Sequence, residues 1–285
     1  MTRRQDLQHH RHSLHEIRNI LNAMKTLAYM ETRKLSTFLD SQHKVVEGLT
    51  EVATDFLSFY PETLPEEMKT TPVYLLIGTE RGFCGDFNQA VIRHTKQSLN
   101  TPPNIKPTLI VVGRKLYNLL QDDMHVSARI DGPSVVEEVP AVLDQAVQAL
   151  ADLQAQHPIL SLYSVYHSGE EGIVTKKLLP PFEHNRQQPP RFPYPPILNL
   201  PPKRFLFDLT EQYLFAALHE LLYTSLIEEN RRRMIHLEGA VKHLDNLSDE
   251  LTQQFNVLRR EEIIEEIEVI LLNTGSLDGG LYQRK

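Results

Sequence analysis

The fold is decided by a long N-terminal stretch, residues 14–59, LHEIRNILNAMKTLAYMETRKLSTFLDSQHKVVEGLTEVATDFLSF. Apolar side chains recur there in alternating steps of three and four residues, and twelve of the fourteen positions in the series are apolar. The series is Leu14, Ile17, Leu21, Met24, Ala28, Glu31, Leu35, Phe38, Gln42, Val45, Leu49, Val52, Phe56 and Phe59. A heptad spacing sustained over more than three repeats is typical of a coiled coil. The sequence therefore predicts one long helix whose apolar stripe needs a partner.

A second series with the same spacing lies near the other end of the chain. Seven of its nine positions are apolar, and they are Met234, Leu237, Val241, Leu244, Ser248, Leu251, Phe255, Leu258 and Glu262. We expect the helix that carries them to run from about Asp208 to Leu272 and to pair antiparallel with the first. Two unrelated amphipathic helices in a bundle are the alternative interpretation.

Proline placement marks what lies between the two helices. All 18 prolines fall between Pro61 and Pro202, and a proline inside a helix costs about 3 kcal/mol. The predicted domains are residues 1–60, an N-terminal coiled-coil helix, and 61–207, an inserted α/β domain with a proline-rich return loop. Residues 208–285 form a C-terminal coiled-coil helix and tail.

The inserted segment has the pattern of an α/β domain. Apolar runs at 72–77, 108–112 and 159–166 predict strands, and helical stretches are expected at about 86–100 and 136–156. Strands that alternate with helices form mostly parallel, open sheets. The predicted fold class is therefore α/β: a long antiparallel coiled coil of N- and C-terminal helices with an inserted Rossmann-like α/β domain.

Composition excludes several functional classes. The net charge of −7 argues against generic nucleic-acid binding, which needs a basic face. A single cysteine, Cys84, excludes a disulfide framework and a cysteine-rich metal site. No stretch approaches the ~20 apolar residues that cross a bilayer, and the N-terminus lacks the apolar region of a secretory signal. A cytoplasmic protein is the expectation.

No catalytic motif emerges from the candidate sites. Residues 78–85, GTERGFCG, lie where a strand meets a helix, but Glu80 stands where a dinucleotide fingerprint needs glycine, and no P-loop lysine follows. Cys84 is expected to be a buried thiol rather than a nucleophile. The cluster His9, His10, His12 and His15 is expected to be solvated rather than to bind metal. No cofactor, metal or bound nucleotide is predicted. An α/β enzyme that uses this loop would leave the heptads unexplained.

Three segments, taken together and in order, resemble the gamma subunit family of F-type ATP synthases. They are residues 22–33, NAMKTLAYMETR, residues 79–88, TERGFCGDFN, and residues 225–267, which include Glu229-Asn230, Met234 and Arg259. The resemblance covers essentially the whole chain and implies the architecture already predicted from prolines and heptads.

The resemblance implies a non-catalytic rotor shaft. Its expected partners are the alpha and beta subunits of the catalytic ring, the epsilon subunit and the membrane ring of c subunits. The expected location is peripheral, on the cytoplasmic face of the cell membrane. The alternative function is that of a coiled-coil tether or a V-type-like central stalk outside F-type synthases.

The resemblance also implies two groups of site residues. Contacts with the beta-subunit collar are expected at Met24, Lys25, Arg33, Arg259 and Arg260. The motif of the inserted domain comprises Arg81, Gly82, Cys84, Gly85 and Asn88. Two purely structural alternatives remain open. Met24 is a heptad residue and can serve only to pack the helix pair. Arg259 can pair with Glu262, one turn away on the same helix.

Overall fold

A computed structural model of the chain describes residues 3–64, 70–98, 107–120, 126–156, 160–169, 171–183 and 190–278. The helices are α1 (Arg3–Phe59), α2 (Phe87–Ser98), α3 (Arg114–Tyr117), α4 (Val139–Gln156) and α5 (Pro202–Asp278), with short 3-10 turns at Pro61–Thr63 and Val136–Glu138. The strands are β1 (Thr71–Ile77), β2 (Thr108–Val112), β3 (Val126–Ile130), β4 (Leu160–Ser168) and β5 (Gly172–Leu179).

The chain divides into two compact units. The larger comprises Leu27–His236, and the smaller combines Met1–Thr26 with Leu237–Lys285. Helices α1 and α5 each contribute residues to both units. The division of the chain into segments 1–60, 61–207 and 208–285 stays a prediction.

The larger unit is built on a five-stranded sheet in the order β3-β2-β1-β4-β5. Strand β1 runs parallel to β2 and β4, β2 runs parallel to β3, and β5 is antiparallel to β4. The sequence predicted β1, β2 and β4 and missed β3 and β5. Both missed strands lie at sheet edges and include polar side chains, so no continuous apolar run marks them.

Each face of the sheet is covered by helices. Side chains alternate along β1, so Tyr74 and Leu76 point to one face and Val73, Leu75 and Ile77 to the other. The first face packs against Val91 of α2 and Leu116 of α3. The second face belongs to a larger core that also includes buried residues of α4, α1 and α5. The mixed α/β class with a mainly parallel sheet is therefore as predicted.

Within the larger unit, α1 and α5 pair antiparallel. The rings of Phe56 and Phe205 lie 4.8 Å apart, and those of Phe38 and Tyr223 lie 6.2 Å apart. Between these contacts, the side-chain amide of Gln42 donates to the carbonyl oxygen of Ala216 at 3.0 Å. Partner numbers on α5 rise as those on α1 fall, which is the expected antiparallel arrangement.

A polar junction joins three elements of the larger unit. Glu220 of α5 accepts from Nδ1 of His43 on α1 at 2.7 Å and from Nζ of Lys176 on β5 at 3.3 Å. Nε2 of His43 lies 3.2 Å from Glu47, so the imidazole stands between two carboxylates. The hydrogen bond to Glu220 raises the pKa of His43, since only the imidazolium can donate to both acceptors.

The smaller unit contains its own antiparallel helix pair. Leu21 of α1 packs with Leu237 and Val241 of α5, and Met24 lies against this cluster. The guanidinium of Arg18 contacts Asp245 at 2.5 Å. Along α5, every position of the predicted series from Met234 to Glu262 is buried or half-buried. The second heptad series was therefore predicted correctly.

One row of the predicted apolar stripe of α1 shifts by one residue beyond Leu35. The first row is buried or half-buried along its whole length, and it comprises Leu14, Leu21, Ala28, Leu35, Gln42, Leu49 and Phe56. In the other row Ile17, Phe38, Val45 and Val52 are exposed, and beyond Leu35 the neighbouring Val46 and Ala53 are buried instead. A straight helix has 3.6 residues per turn, so a strict heptad drifts by about 20° per repeat and the buried face moves gradually to later positions. The heptad prediction therefore holds for the first row and is wrong at these four exposed positions of the second.

Helix α5 begins at Pro202, six residues before the predicted start. Proline suits the first position of a helix, because its fixed φ is helical and the missing N–H is not needed there. The preceding residues 190–201 form no regular helix or strand, in agreement with the predicted proline-rich connector.

Neighbouring valines on α1 test this shift of the buried row. Val46 is 7% exposed and Val45 is 48% exposed. We expect Val46→Asp to lower the free energy of unfolding by about 3 kcal/mol or more, because it buries an unpaired carboxylate. Val45→Asp should change it by less than about 0.5 kcal/mol. Denaturant unfolding of both variants makes the measurement, and a larger loss for Val45→Asp would restore the unbroken heptad.

Candidate functional site

The motif of the inserted domain forms a loop at the carboxyl edge of the sheet. This motif loop, residues 79–86, connects β1 to α2. Asn88, in the first turn of α2, closes its base. The side-chain oxygen of Asn88 accepts from the Thr79 amide at 2.9 Å, and its nitrogen donates to the Thr79 hydroxyl at 2.8 Å. Asn88 is buried, so these bonds fix the start of the loop without competition from water.

Gly85 permits close contact between the loop and α5. Its φ of +62° is unfavourable for residues with a side chain, and an added Cβ would lie 2.0 Å from Nε2 of His236. Phe83 also has a left-handed conformation, with a φ of 66°, and its side chain is 53% exposed. The loop therefore presents one apolar side chain outward and a bare backbone to the helix.

A buried ion pair on α5 holds the loop. Arg233 and Glu229, one helical turn apart, have side chains that are 7% and 5% exposed and are hydrogen bonded to each other. Arg233 also donates from Nε to the carbonyl oxygen of Gly82 at 3.2 Å and from Nη1 to Asn230 at 2.7 Å. The carboxylate of Glu229 accepts from the backbone of Glu80 and Arg81. Loss of Glu229 would leave the guanidinium of Arg233 as a buried, unpaired charge, at a cost of about 3–5 kcal/mol.

The motif loop and the α5 residues that contact it, Glu229, Arg233 and His236, form what we call the seat of the loop. Burial shifts the pKa of two groups there. Removal from water raises the pKa of Glu229 to about 7, although Arg233 and the loop backbone favour the ionised form. Burial likewise raises the pKa of the Cys84 thiol to about 12, helped by the charge of Glu229. Cys84 thus lies buried, with Sγ 3.7 Å from the carbonyl oxygen of Glu229. A nucleophilic cysteine needs the opposite shift.

Exposed charges surround the seat. Asp86 contacts Arg93 of α2 at 3.1 Å and Arg232 of α5 at 3.2 Å. The hydrogen bond from Arg93 lowers the pKa of Asp86. The Arg232 guanidinium also lies 5.8 Å from the centre of the Phe87 ring, a cation–π distance. These contacts extend the link between α5 and the end of the loop.

Glu80 fills the part of the sheet edge where an anion would bind. Its carboxylate accepts from the amides of Arg114 and Gly132, both at 2.9 Å, and pairs with the Arg114 guanidinium at 2.9 Å. The sequence showed that Glu80 stands where a dinucleotide fingerprint needs glycine. The structure adds that it already occupies backbone donors following β2 and β3.

The crevice between the ends of β1 and β4 is filled as well. Open α/β sheets bind ligands where the strand order reverses, which here is between β1 and β4. The ring of Phe87 lies 3.7 Å from that of His167 at the end of β4, and Nε2 of His167 lies 3.0 Å from the Phe87 carbonyl oxygen. Burial lowers the pKa of His167, so it packs as a neutral ring.

The structure unites one predicted group of site residues and separates the other. Arg81, Gly82, Cys84, Gly85 and Asn88 all belong to the seat of the motif loop. Arg81 is exposed and donates from Nε to the Ser134 hydroxyl at 3.0 Å. Together they form a structural joint with an exposed face.

The predicted collar contacts that belong to the smaller unit do not form one cluster; they are Met24, Lys25, Arg259 and Arg260. Met24 is half-buried against Leu21, Leu237 and Val241. Arg259 lies 18 residues beyond Val241 on α5, about 27 Å along the axis. Arg33, Arg259 and Arg260 are exposed, and Lys25 is half-buried. Their role as contacts stays a prediction.

Sequence reasoning missed the α5 half of the seat. The run Arg231-Arg232-Arg233 has the pattern of a solvated, salt-bridged helix face. That interpretation holds for Arg231, paired with Glu228 at 3.3 Å, but not for buried Arg233. The helical periodicity of α5 did indicate that Glu229 and Arg233 are buried. Glu229 and Arg233 continue the buried stripe that runs from Leu226 to Leu237, and charges on a buried stripe need partners.

The histidine-rich start of α1 lines an open cleft of about 730 Å³ in the smaller unit. His9, His12 and His15 face Ser248 and Thr252 of α5 across it, and the three histidines are exposed. Among the described residues, no group of three or more acidic, histidine or cysteine side chains is placed to hold a metal ion.

A family model described as ATP synthase matches residues 3–275. The chain belongs to the ATP synthase family. This match covers both long helices and the domain between them, and it agrees with the resemblance found in the sequence.

Curated relatives specify the subunit that the chain resembles within the ATP synthase family. The ATP synthase gamma chain of Clostridium botulinum (strain Loch Maree) is 23% identical over 266 residues, which cover 91% of this chain and 93% of the relative. The ATP synthase gamma chain of Clostridium novyi (strain NT) is 24% identical over 269 residues, with the same coverage of both chains.

Solved structures of ATP synthases share the fold. A chain of the Euglena gracilis mitochondrial ATP synthase has a TM-score of 0.63 at 16% identity, covering 99% of this chain and 97% of that one. A chain from the central stalk and c-ring of the Tetrahymena thermophila enzyme has a TM-score of 0.52 at 18% identity, covering 78% and 99%. No helix among the described residues of this family member is long and apolar enough to cross a membrane.

The raised pKa of Glu229 makes the stability of this ATP synthase family member depend on pH. Between pH 4.5 and about 7 the folded protein holds a proton on Glu229 that the unfolded chain has released. The contribution of Glu229 to stability is therefore present below pH 4.5 and lost as the pH rises through 7, with a slope of at most about 1.4 kcal/mol per pH unit.

Glu229→Gln should remove this part of the pH dependence. We expect the free energy of unfolding of the wild type, minus that of the variant, to fall between pH 5 and 8. The subtraction cancels the opposite contribution of His167. Parallel curves for the two proteins would show that Glu229 keeps an ordinary pKa.

Proposed function

We propose that this chain is the gamma subunit of an F-type ATP synthase, the central shaft that couples rotation of an ion-driven ring to its catalytic subunits. The observation that carries the proposal is the family match over residues 3–275, which spans the helix pair and the inserted domain in one alignment. Relatives named ATP synthase gamma chain and a neighbour from a central stalk support the same role.

The mechanism is mechanical rather than chemical. A shaft that presents different side chains around its circumference makes different contacts with each catalytic subunit as it turns. Those contact free energies favour one conformation of a subunit over another, which drives the ring through its states in sequence. The paired helices support this role because their apolar stripes are covered by each other in each unit.

The chain itself is proposed to be non-catalytic. The sheet edge where a nucleotide would bind is occupied by Glu80 and by the stacked rings of Phe87 and His167. Cys84 is buried, with a raised pKa. We therefore assign catalysis to partner subunits.

The proposed partners are the alpha and beta subunits, the epsilon subunit and the c-subunit ring. The proposed location is peripheral, on the cytoplasmic face of the cell membrane. A tether or a V-type-like stalk is disfavoured because relatives over 91% of the chain are gamma chains of ATP synthases.

Co-assembly tests the proposed function. The chain should co-purify with alpha and beta subunits of its own organism as a complex that hydrolyses ATP. The isolated chain should show no ATP hydrolysis and no micromolar ATP binding by calorimetry. Micromolar binding to the isolated chain, or failure to join alpha and beta subunits that assemble with another gamma chain, would contradict the proposal.

Arg259 tests the proposed collar contacts. It is exposed on α5, and an arginine fork suits recognition of an acidic loop. We expect Arg259→Ala to lower the ratio of ATP-driven ion pumping to ATP hydrolysis about fivefold, the effect of losing roughly 1 kcal/mol of contact free energy. Folding stability should not change, since exposed intrahelical pairs contribute only a few tenths of a kcal/mol.

The matched control is Lys242→Ala, which removes an exposed cation of α5 outside the predicted contacts. An unchanged pumping ratio for Arg259→Ala in a fully assembled complex would show that Arg259 is an ordinary surface residue.

A further inference from the structure

The apolar contact between α5 and the sheet ends before the motif loop is reached. On α5, the large core of the larger unit extends to Leu226, with half-buried Ile227 against it. The next buried side chains are polar: Glu228, Glu229, Asn230 and Arg233. The motif loop is therefore attached to α5 by hydrogen bonds and ion pairs rather than by the core.

These polar side chains of α5 contact successive residues of the motif loop. Glu229 accepts from the backbone of Glu80 and Arg81, and Arg233 donates to the carbonyl oxygen of Gly82. Farther along, Sγ of Cys84 lies against the Glu229 carbonyl, and Gly85 lies against His236. Each main-chain contact is made by a side chain or backbone atom of a single stretch of α5.

The opposite side of the loop is exposed. Phe83 is 53% exposed in a left-handed conformation, and Arg81 is exposed beside it. A non-glycine residue keeps such a backbone only when its surroundings hold it there. Here the surroundings are Gly82, fixed by Arg233, and Cys84, buried against α5.

We propose that the Glu229–Arg233 pair is the joint that transmits force from the exposed face of the motif loop to helix α5. This inference rests on the proposed shaft function, in which α5 must not slip against the domain. Glu229 and Arg233 act as positioning residues. Charge-assisted hydrogen bonds suit this task because they are directional, whereas apolar contact resists sliding weakly.

Cys84 provides a direct probe of the joint, since it is the only cysteine in the chain. Its burial and raised pKa predict slow labelling by a maleimide in the native protein. Arg233→Ala should release the loop and speed Cys84 labelling at least about tenfold, because opening then costs less. Arg231→Ala removes an exposed guanidinium that pairs with Glu228 and leaves the Arg233 contact with the motif loop in place, so this variant should label like the wild type.

Arg233→Ala leaves Glu229 buried and unpaired, and the variant can fail to fold. A second variant therefore keeps the proposal testable. The double variant Glu229→Gln with Arg233→Met removes both charges and is better tolerated. It should also label at least about tenfold faster. Wild-type labelling rates in both folded variants would overturn the proposal.

The role of the joint in transmitting force is tested by measuring ion pumping and ATP hydrolysis in the assembled complex. The double variant should hydrolyse ATP but pump ions at a reduced ratio to hydrolysis, while Arg231→Ala keeps the normal ratio. Faster labelling with an unchanged ratio would overturn the proposal, since the joint would then carry no force. If the unmodified chain forms no pumping complex, the proposed function fails, whereas the labelling result is unaffected.

Discussion

Helix α5 is enclosed from two sides between Tyr213 and Asn230, and the larger unit depends on that enclosure. One side meets α1, through contacts such as Phe38 with Tyr223. The other meets the sheet and its edges, where Phe182 packs on Tyr213 at 4.7 Å and Lys176 pairs with Glu220. A helix buried on two faces cannot be amphipathic in the usual sense. This stretch accordingly buries Ala216, Ala217, Leu218, Leu221 and Leu222, which span about two-thirds of its circumference.

The same enclosure accounts for the shift of one buried row on α1. Two helices that bury their stripes against each other keep a heptad spacing as they supercoil. In the larger unit α1 also contributes Val46, Ala53 and Leu57 to a core shared with α4 and the sheet. Its buried face there includes that side, so Val46 and Ala53 are buried where the heptad would bury Val45 and Val52.

Sequence reasoning recovered the features that repeat and missed those that depend on a specific partner. The heptads of α5 and the apolar strands β1, β2 and β4 carry a periodic signal, and both predictions hold. The burial of Val46 instead of Val45 could not be predicted, because the two residues are identical in type and only tertiary packing distinguishes them. Arg233 looked like one of three surface arginines, since its partner Gly82 is 151 residues away in sequence.

The sheet of the larger unit has the strand order of a nucleotide-binding fold, while side chains of the same unit fill the ligand edge. Glu80 satisfies the backbone donors after β2 and β3, and Phe87 with His167 fills the crevice between β1 and β4. The motif loop, which in such folds would face a phosphate, is instead covered by Glu229 and Arg233. Helix α5 thus stands where a ligand would bind. The strong electrostatics of this edge, which could have oriented a cofactor, serve to join the domain to a helix.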